Sequence, residues 1–289
     1  MLTSIAHTPA HGAHPFASSL PLVLVKSCSP GRWRAGTIPR ACLLTLFVFF
    51  LGYLMCARFD PVTDPQRFRR VFGTALPERE ALVGGTAVPK RTEVFPGGWA
   101  PVVRATAQGL SEGRISADED GPPDHEAVWA MFGLVPEWAK DTKICRSTYN
   151  ARSETVAEKP SFRGAWARHR HCIVPAEVIT EPDYRSGKAV PTGIACGDGL
   201  PMGIAGLWSQ WDGPQGQKLT SFTMLTINAT EHAVMNQFHK PEDEKRMVLI
   251  LPRGAWKDWL LATPERTPVA ERLAMLRAYP ASRLVVGEV

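Results

Sequence analysis

Four short apolar runs in the C-terminal half constrain the fold most. They cover residues 171–179 (HCIVPAEVI), 201–208 (PMGIAGLW), 221–227 (SFTMLTI) and 246–251 (RMVLIL). Their length and their content of β-branched and aromatic residues are typical of buried strands. Strands so far apart in sequence, with helical segments between and after them, predict a mixed α+β fold with a largely antiparallel sheet.

Three segments have helical character. Residues 64–73 (DPQRFRRVFG) place Asp64 as an N-cap and Pro65 in the first turn, and 252–262 and 268–279 are the other two. The stretch 85–128 is rich in proline and glycine, so we interpret it as loops. The expected architecture is α+β, a single domain with a mixed β core flanked by helices.

The N-terminal 54 residues differ from the remainder. They contain four Lys or Arg and no acid, so +4 of the formal net charge of +5 belongs to them and only +1 remains for residues 55–289. Overall charge is therefore weak support for DNA binding. We expect an N-terminal extension at 1–54, which consists of a disordered segment and a short apolar stretch. A catalytic domain is expected at 55–289.

The apolar stretch 41–57 (ACLLTLFVFFLGYLMCA) allows three interpretations. It is short for a membrane span, which needs about 20 residues, but could act as a signal anchor. It could be a lipoprotein signal acylated at Cys56, although Met55 is bulky for the position before such a cleavage. In the third interpretation, which we favour, translation starts at Met55 and 1–54 is not normally part of the protein.

A start at Met55 changes the chemistry of Cys56, because trimming of the methionine would make the cysteine N-terminal. Its thiol, with a pKa near 8.5, and its amine, near 7.7–8.0, could together trap an aldehyde as a thiazolidine ring. The six cysteines contain no CxxC pair or zinc spacing, so we expect reduced thiols, a cytoplasmic protein and no metal.

Polar residues concentrate in two further segments. Residues 149–163 (YNARSETVAEKPSFR) could be a solvated loop, or a pocket wall in which Asn150 positions a substrate and Arg152 and Arg163 hold phosphates. His239 precedes a predicted strand at a junction between elements, where catalytic groups concentrate, although a single histidine is more often structural.

These segments in order resemble the SRAP family, the SOS-response-associated peptidases or abasic-site processing proteins. The resemblance runs from Met55 to about Pro280. Five motifs carry it: MCARF (55–59), FGLVPEW (132–138), NARSET (150–155), CIVPA (172–176) and His239 before RMVLIL.

The resemblance implies a DNA-repair protein that shields abasic sites in single-stranded DNA through a covalent protein–DNA linkage, without a cofactor. It implies a nucleophile at Cys56, an opened sugar or amine held by Asn150, proton transfer by Glu181 and His239, and lyase-like reversal of the crosslink. DNA contacts are expected from Arg58, Trp138, Arg152 and Arg163. The expected partner is abasic single-stranded DNA, with a monomeric, nucleoid-associated protein.

The sequence departs from the family pattern at several points. Ala57 replaces a glycine, RTEVFPGG (91–98) lacks an asparagine, and HKPEDEKRM (239–247) is longer than usual. Aromatic residues around Glu181 are missing, which leaves Glu177 as a rival for its role. The extension at 1–54 is the largest departure.

Two other functions remain open. The chain could be a cysteine peptidase (a hydrolase) that uses Cys56 and His239, with its own leader as substrate. It could also be a binding protein anchored in a membrane through 41–57.

Overall fold

A computed structural model of the chain describes residues 57–78, 93–112, 124–263 and 265–288. Eleven strands form its core: β1 (Arg58–Pro61), β2 (Trp99–Ala105), β3 (His125–Phe132), β4 (Asn150–Arg152), β5 (His171–Asp183), β6 (Val190–Cys196), β7 (Met202–Asp212), β8 (Lys218–Asn228), β9 (Arg246–Val248), β10 (Ile250–Leu251) and β11 (Leu284–Glu288).

Five short α-helices accompany the strands in the described ranges: α1 (Pro65–Phe72), α2 (Ala107–Glu112), α3 (Arg163–Ala167), α4 (Trp256–Leu261) and α5 (Val269–Met275). Single 3₁₀ segments cover Thr142–Ser147, Met235–Gln237, Arg253–Ala255 and Ala281–Arg283. The α+β class predicted from the sequence is confirmed.

All strands belong to one sheet with the path β10-β7-β8-β3-β2-β5-β6-β11. Strand β1 pairs with β5, and both β4 and β9 pair with β8. Because β7 also pairs with β5, the path returns on itself and the sheet closes around the core. Only β3 and β4 run parallel to their neighbour β8, so the sheet is largely antiparallel, as predicted.

The predicted helix at 64–73 is confirmed with its caps. The Asp64 carboxylate accepts a hydrogen bond of 2.6 Å from the backbone N–H of Arg67, and Pro65 occupies the first turn, where its missing N–H costs no bond. Gly73 ends the helix in a left-handed conformation, and its N–H donates to the carbonyl of Arg69.

The predicted strand at 246–251 is two strands that meet at Leu249. The N–H of Leu249 donates to Leu225 of β8, whereas its carbonyl accepts from Ala205 of β7, each at 2.8 Å. The chain therefore passes from one partner strand to another at this residue. The helix predicted at 252–262 likewise begins as a 3₁₀ turn before α4, and that at 268–279 is shorter than expected.

The interpretation of 85–128 as loops is wrong in part. Strand β2, helix α2 and the start of β3 lie within this stretch. Pro101 and nearby glycines disguised β2, yet Val102 and Val103 are fully buried between neighbouring strands. Strand β2 pairs with β3 along its whole length but with β5 only at Val103, so Pro101 lies where one side of the strand has no ladder partner from β5, a position that accommodates proline.

Aromatic rings occupy the centre of the core. Phe132 stacks on Phe222 with ring centroids 5.1 Å apart, and Phe59 of β1 meets Phe132 edge-on at 5.4 Å. These contacts anchor β1 inside the closed sheet, next to β5. The described cysteines, Cys145, Cys172 and Cys196, are all buried and free, as expected for reduced thiols.

Among the described residues, no helix is long and apolar enough to cross a membrane. The stretch 41–57 lies outside these residues except for Ala57, and so does the whole extension at 1–54.

Candidate active site

Glu181 and His239 meet in the interior near the end of β5. The Glu181 side chain is fully buried, and that of His239 is only 3% exposed. Carboxylate Oε2 of Glu181 lies 3.7 Å from Nε2 of His239. A carboxyl group and an imidazole are the side chains that most often act as general acids and bases in enzymes.

The backbone holds His239 in an unusual conformation. Its φ is +63°, in the left-handed region that non-glycine residues seldom adopt. Its N–H donates to the carbonyl of Pro182 on β5 at 3.0 Å. Lys245 clamps the same loop, because its Nζ donates to the carbonyls of Phe238, His239 and Lys240. The ring is thus held next to β5 by main-chain bonds.

The imidazole of His239 also contacts β9. Its Nε2 lies 3.1 Å from the backbone carbonyl oxygen of Arg246. Because a carbonyl oxygen can only accept, this contact places a proton on Nε2. The same Nε2–H faces Glu181, so the proton lies between a carbonyl and a carboxylate.

Asn150 and Arg152 come from β4, which runs parallel to β8. Asn150 is paired with Met224, and Arg152 with Thr226. Asn150 is half-buried and Arg152 exposed. A guanidinium N–H of Arg152 donates to Oε2 of Glu244 at 2.8 Å.

The side chain of Arg246 connects the segment after β4 with the loop after His239, a role that the sequence did not predict. Its side chain is 2% exposed and forms two hydrogen bonds of 2.8 Å with the carboxylate of Glu154. It also donates to the carbonyl of Thr226 at 2.8 Å and to Glu244 at 3.0 Å. Both glutamates lie in the segments singled out above, but nothing in their spacing indicates that they share one arginine.

The pairing changes the acidity of Glu154. Burial by itself would raise the pKa of this carboxyl group, but the hydrogen bonds and the charge of Arg246, together with backbone hydrogen bonds, outweigh burial and the pKa lies below its ordinary value. Glu154 is therefore ionised over the physiological range and balances the buried charge of Arg246.

The family profile described as "SOS response associated peptidase (SRAP)" matches residues 55–289. The chain belongs to the SRAP family.

Curated SRAP relatives carry consistent names. Abasic site processing protein YoqW of Bacillus subtilis is 34% identical over 159 residues, which are 55% of this chain and 66% of YoqW. Abasic site processing protein HMCES of Rattus norvegicus is 26% identical over 146 residues, 40% of this chain and 41% of its own. The alignment thus spans only part of the length of each relative.

Solved structures agree with the SRAP assignment. A crystal structure of a protein from Bordetella bronchiseptica is 36% identical, with a TM-score of 0.66, and the match covers 81% of this chain and 99% of that one. A protein from Bacteroides thetaiotaomicron, 20% identical, shares the fold with a TM-score of 0.62 over 80% and 90% of the two chains.

The two glutamates that compete for the SRAP acid/base role have different surroundings. Glu177 is partly exposed and forms a two-point ion pair with Arg67 of α1, at 2.8 and 3.0 Å. Glu181 is buried beside His239. Only Glu181 has the desolvated setting and the titratable neighbour typical of a proton-transfer group.

The other predicted DNA contacts are spread over the surface. Arg58 on β1 is ion-paired with Glu93, and its guanidinium lies 6.0 Å from the centre of the Phe95 ring. Trp138 is 60% exposed and donates to the carbonyl of Pro160 at 3.3 Å. Arg163 is exposed at the start of α3.

Cys56 lies outside the described residues. Arg58, two positions later, is the partner of Thr180, the residue before Glu181. The register of β1 and β5 therefore places Arg58 opposite the residue that precedes the buried acid. In the described part of the chain, no three His, Cys, Asp or Glu side chains are grouped as a metal ion would require.

Proposed function

We propose that this SRAP chain processes abasic sites in single-stranded DNA by forming a covalent thiazolidine through Cys56. The observation that carries the proposal is the buried pair of Glu181 and His239, next to the strand that begins two residues after Cys56. The names of the curated relatives support the DNA lesion as substrate.

The proposed chemistry uses groups of the protein itself, namely the α-amine and the thiol of Cys56 and the neighbouring side chains. The ring-opened abasic sugar presents an aldehyde, which the free amine of Cys56 attacks to give a carbinolamine. Loss of water gives an imine, and the thiolate then adds to the imine carbon. One C–N and one C–S bond form, one water leaves, and no redox change occurs.

Each proposed residue has a place in this sequence. Glu181 protonates the departing hydroxyl and accepts a proton from the attacking amine, which its buried carboxyl group beside His239 favours. The Nε2–H of His239 assists opening of the sugar ring. Asn150 holds the opened sugar or the amine, while Arg58, Arg152 and Arg163 hold phosphates and Trp138 stacks on a base.

The domain boundary belongs to the same proposal. The catalytic domain spans 55–289, the range that the family profile matches, and 1–54 precedes it. Because the amine must be free, residues ahead of Cys56 have to be absent or removed. The monomeric state and the cytoplasmic, nucleoid-associated location remain predictions.

Denaturing electrophoresis tests the proposal. A protein that starts at Met55, incubated with an abasic single-stranded oligonucleotide, should give an adduct that survives denaturation. Cys56→Ala should abolish the adduct, and Glu177→Gln should leave it intact as the matched control. An undiminished adduct from Cys56→Ala would refute the assignment.

A second candidate, autoproteolysis before Cys56, is favoured by the peptidase description of the family and by the extension itself. Intact-mass measurement of the expressed full chain distinguishes it. A product that begins at Cys56, lost in His239→Ala, supports self-cleavage. Persistence of the full-length mass in the unmutated protein argues against it.

A further inference from the structure

The loop between His239 and Arg246 carries an acidic side chain in an unusual position. Its sequence is KPEDEK at 240–245. Its glutamate Glu244 bridges two arginines: Oε2 lies 2.8 Å from Arg152 and Oε1 lies 3.0 Å from Arg246. One carboxylate thus offers an oxygen to each of two guanidinium groups.

That arrangement resembles a bound phosphodiester. A backbone phosphate, like the Glu244 carboxylate, carries its negative charge on two oxygens that can each accept from a guanidinium group. The charges agree as well, since Arg152 and Arg246 are balanced by Glu154 and Glu244. Removal of Glu244 from this group leaves one positive charge, which a single phosphate would neutralise.

The two arginines are not equally available to DNA. Arg246 is buried and held at two points by Glu154, so it cannot turn toward a ligand. The side chain of Arg152 is 51% exposed, and that of Glu244 is 39% exposed. An ion pair so open to water contributes little stability and exchanges readily.

From this geometry we propose that Glu244 is an internal mimic of the DNA backbone, which occupies Arg152 until a phosphate displaces it. The inference rests on the proposed function, because it assumes that Arg152 binds DNA. Because DNA must first displace Glu244, its affinity would be lower but its binding more selective. Only strands that also fill the remainder of the site would compete with Glu244 for Arg152.

Lys245 gives the loop the stiffness that such a mimic needs. Its three hydrogen bonds to the carbonyls of residues 238–240 hold the base of the loop closed. Glu244 therefore stays close to Arg152 when DNA is absent, and its carboxylate acts at high effective concentration.

The test compares two variants of the full chain, each of which replaces one carboxylate with a neutral amide. Glu244→Gln removes the bridging carboxylate. Glu242→Gln is the matched control, because Glu242 is exposed in the same loop and forms no ion pair with any described residue. Affinity for an undamaged single-stranded oligonucleotide is measured by fluorescence anisotropy at about 0.15 M salt, where the screening length is about 8 Å.

We expect Glu244→Gln to bind the oligonucleotide roughly three- to tenfold more tightly than wild type, a gain on the order of one surface ion pair. Glu242→Gln should change the affinity by less than about twofold. In an Arg152→Ala background the gain from Glu244→Gln should fall below about twofold, because Arg246 stays clamped by Glu154.

The possible outcomes separate the two ideas. Binding by wild type with equal affinities for Glu244→Gln and Glu242→Gln overturns the mimic alone. A gain from Glu244→Gln that persists without Arg152 also overturns it. Failure of wild type and every variant to bind the oligonucleotide would overturn the proposed function, and the mimic with it.

Discussion

A buried histidine lies at each end of strand β5, and the two have opposite surroundings. At its first residue, His171 is packed against Trp259, with ring centres 4.3 Å apart, and near His169. Burial first, and then the nearby charges of His169 and Arg272, lower the pKa of His171 to about 3. Near the other end, His239 faces the carboxylate of Glu181 instead.

The difference shows that burial alone does not decide what a histidine can do. An imidazole among aromatic rings and cations stays neutral and only packs. One whose Nε2 lies between a carboxylate and a carbonyl has polar partners for that nitrogen instead. The environment of each ring, rather than its exposure, separates a packing residue from a candidate catalyst.

Removing either Glu181 or His239 should have the largest effect on activity. We expect Glu181→Gln and His239→Ala, in a protein that starts at Met55, to slow adduct formation roughly 10²- to 10⁴-fold, the usual contribution of a general acid or base. Single-turnover rates on abasic single-stranded DNA measure the effect. A loss of less than threefold in both variants would remove the pair from the mechanism.

The opposite end of β5 should govern acid stability. His171 binds a proton in the unfolded chain below its ordinary pKa of 6.5, but in the folded protein only near pH 3. Stability is therefore complete above pH 6.5 and declines as the pH falls toward 3, by about 2 kcal/mol from pH 7 to pH 5.

His171→Phe removes the titrating group and keeps a ring against Trp259. Urea unfolding at pH 7 and pH 5 should show a difference between the two pH values that is smaller than in wild type by about 2 kcal/mol. An unchanged difference would mean that His171 is protonated in the folded state, contrary to its surroundings.

Glu154→Gln should have the smallest effect, on the support of His239 rather than on His239 itself. Arg246 would lose one of its two carboxylate partners, and stability should fall by about 1 kcal/mol, since Glu154 is half exposed and solvent screens the pair. Thermal unfolding measures the loss. Recovery in Glu154→Asp would be consistent with a charge effect, whereas an equal loss in both variants would indicate that side-chain length matters more.

The elements with strong local signals were predictable. The four apolar runs are strands because their side chains are buried on a shared sheet, and helix α1 was predictable from its N-cap Asp64 and from Pro65 in its first turn. Strand β2 was missed because Pro101 and the glycines before it resemble a turn, and only long-range pairing with β3 makes the segment a strand.

The site was predictable only as a set of residue types. The motifs drew attention to Asn150, Glu181 and His239, but not to Arg246, whose part depends on its own backbone carbonyl. The choice between Glu177 and Glu181 also depended on tertiary partners, since Arg67 is 110 residues from Glu177. Sequence spacing does not encode such contacts.

Strand β9 adds a consequence for biosynthesis. Glu181 is translated well before His239, and Arg246, whose carbonyl contacts the imidazole, follows later still. A nascent chain still emerging from the ribosome therefore has the acid without its imidazole. The complete arrangement of Glu181, His239 and β9 can form only after residue 246 has been translated.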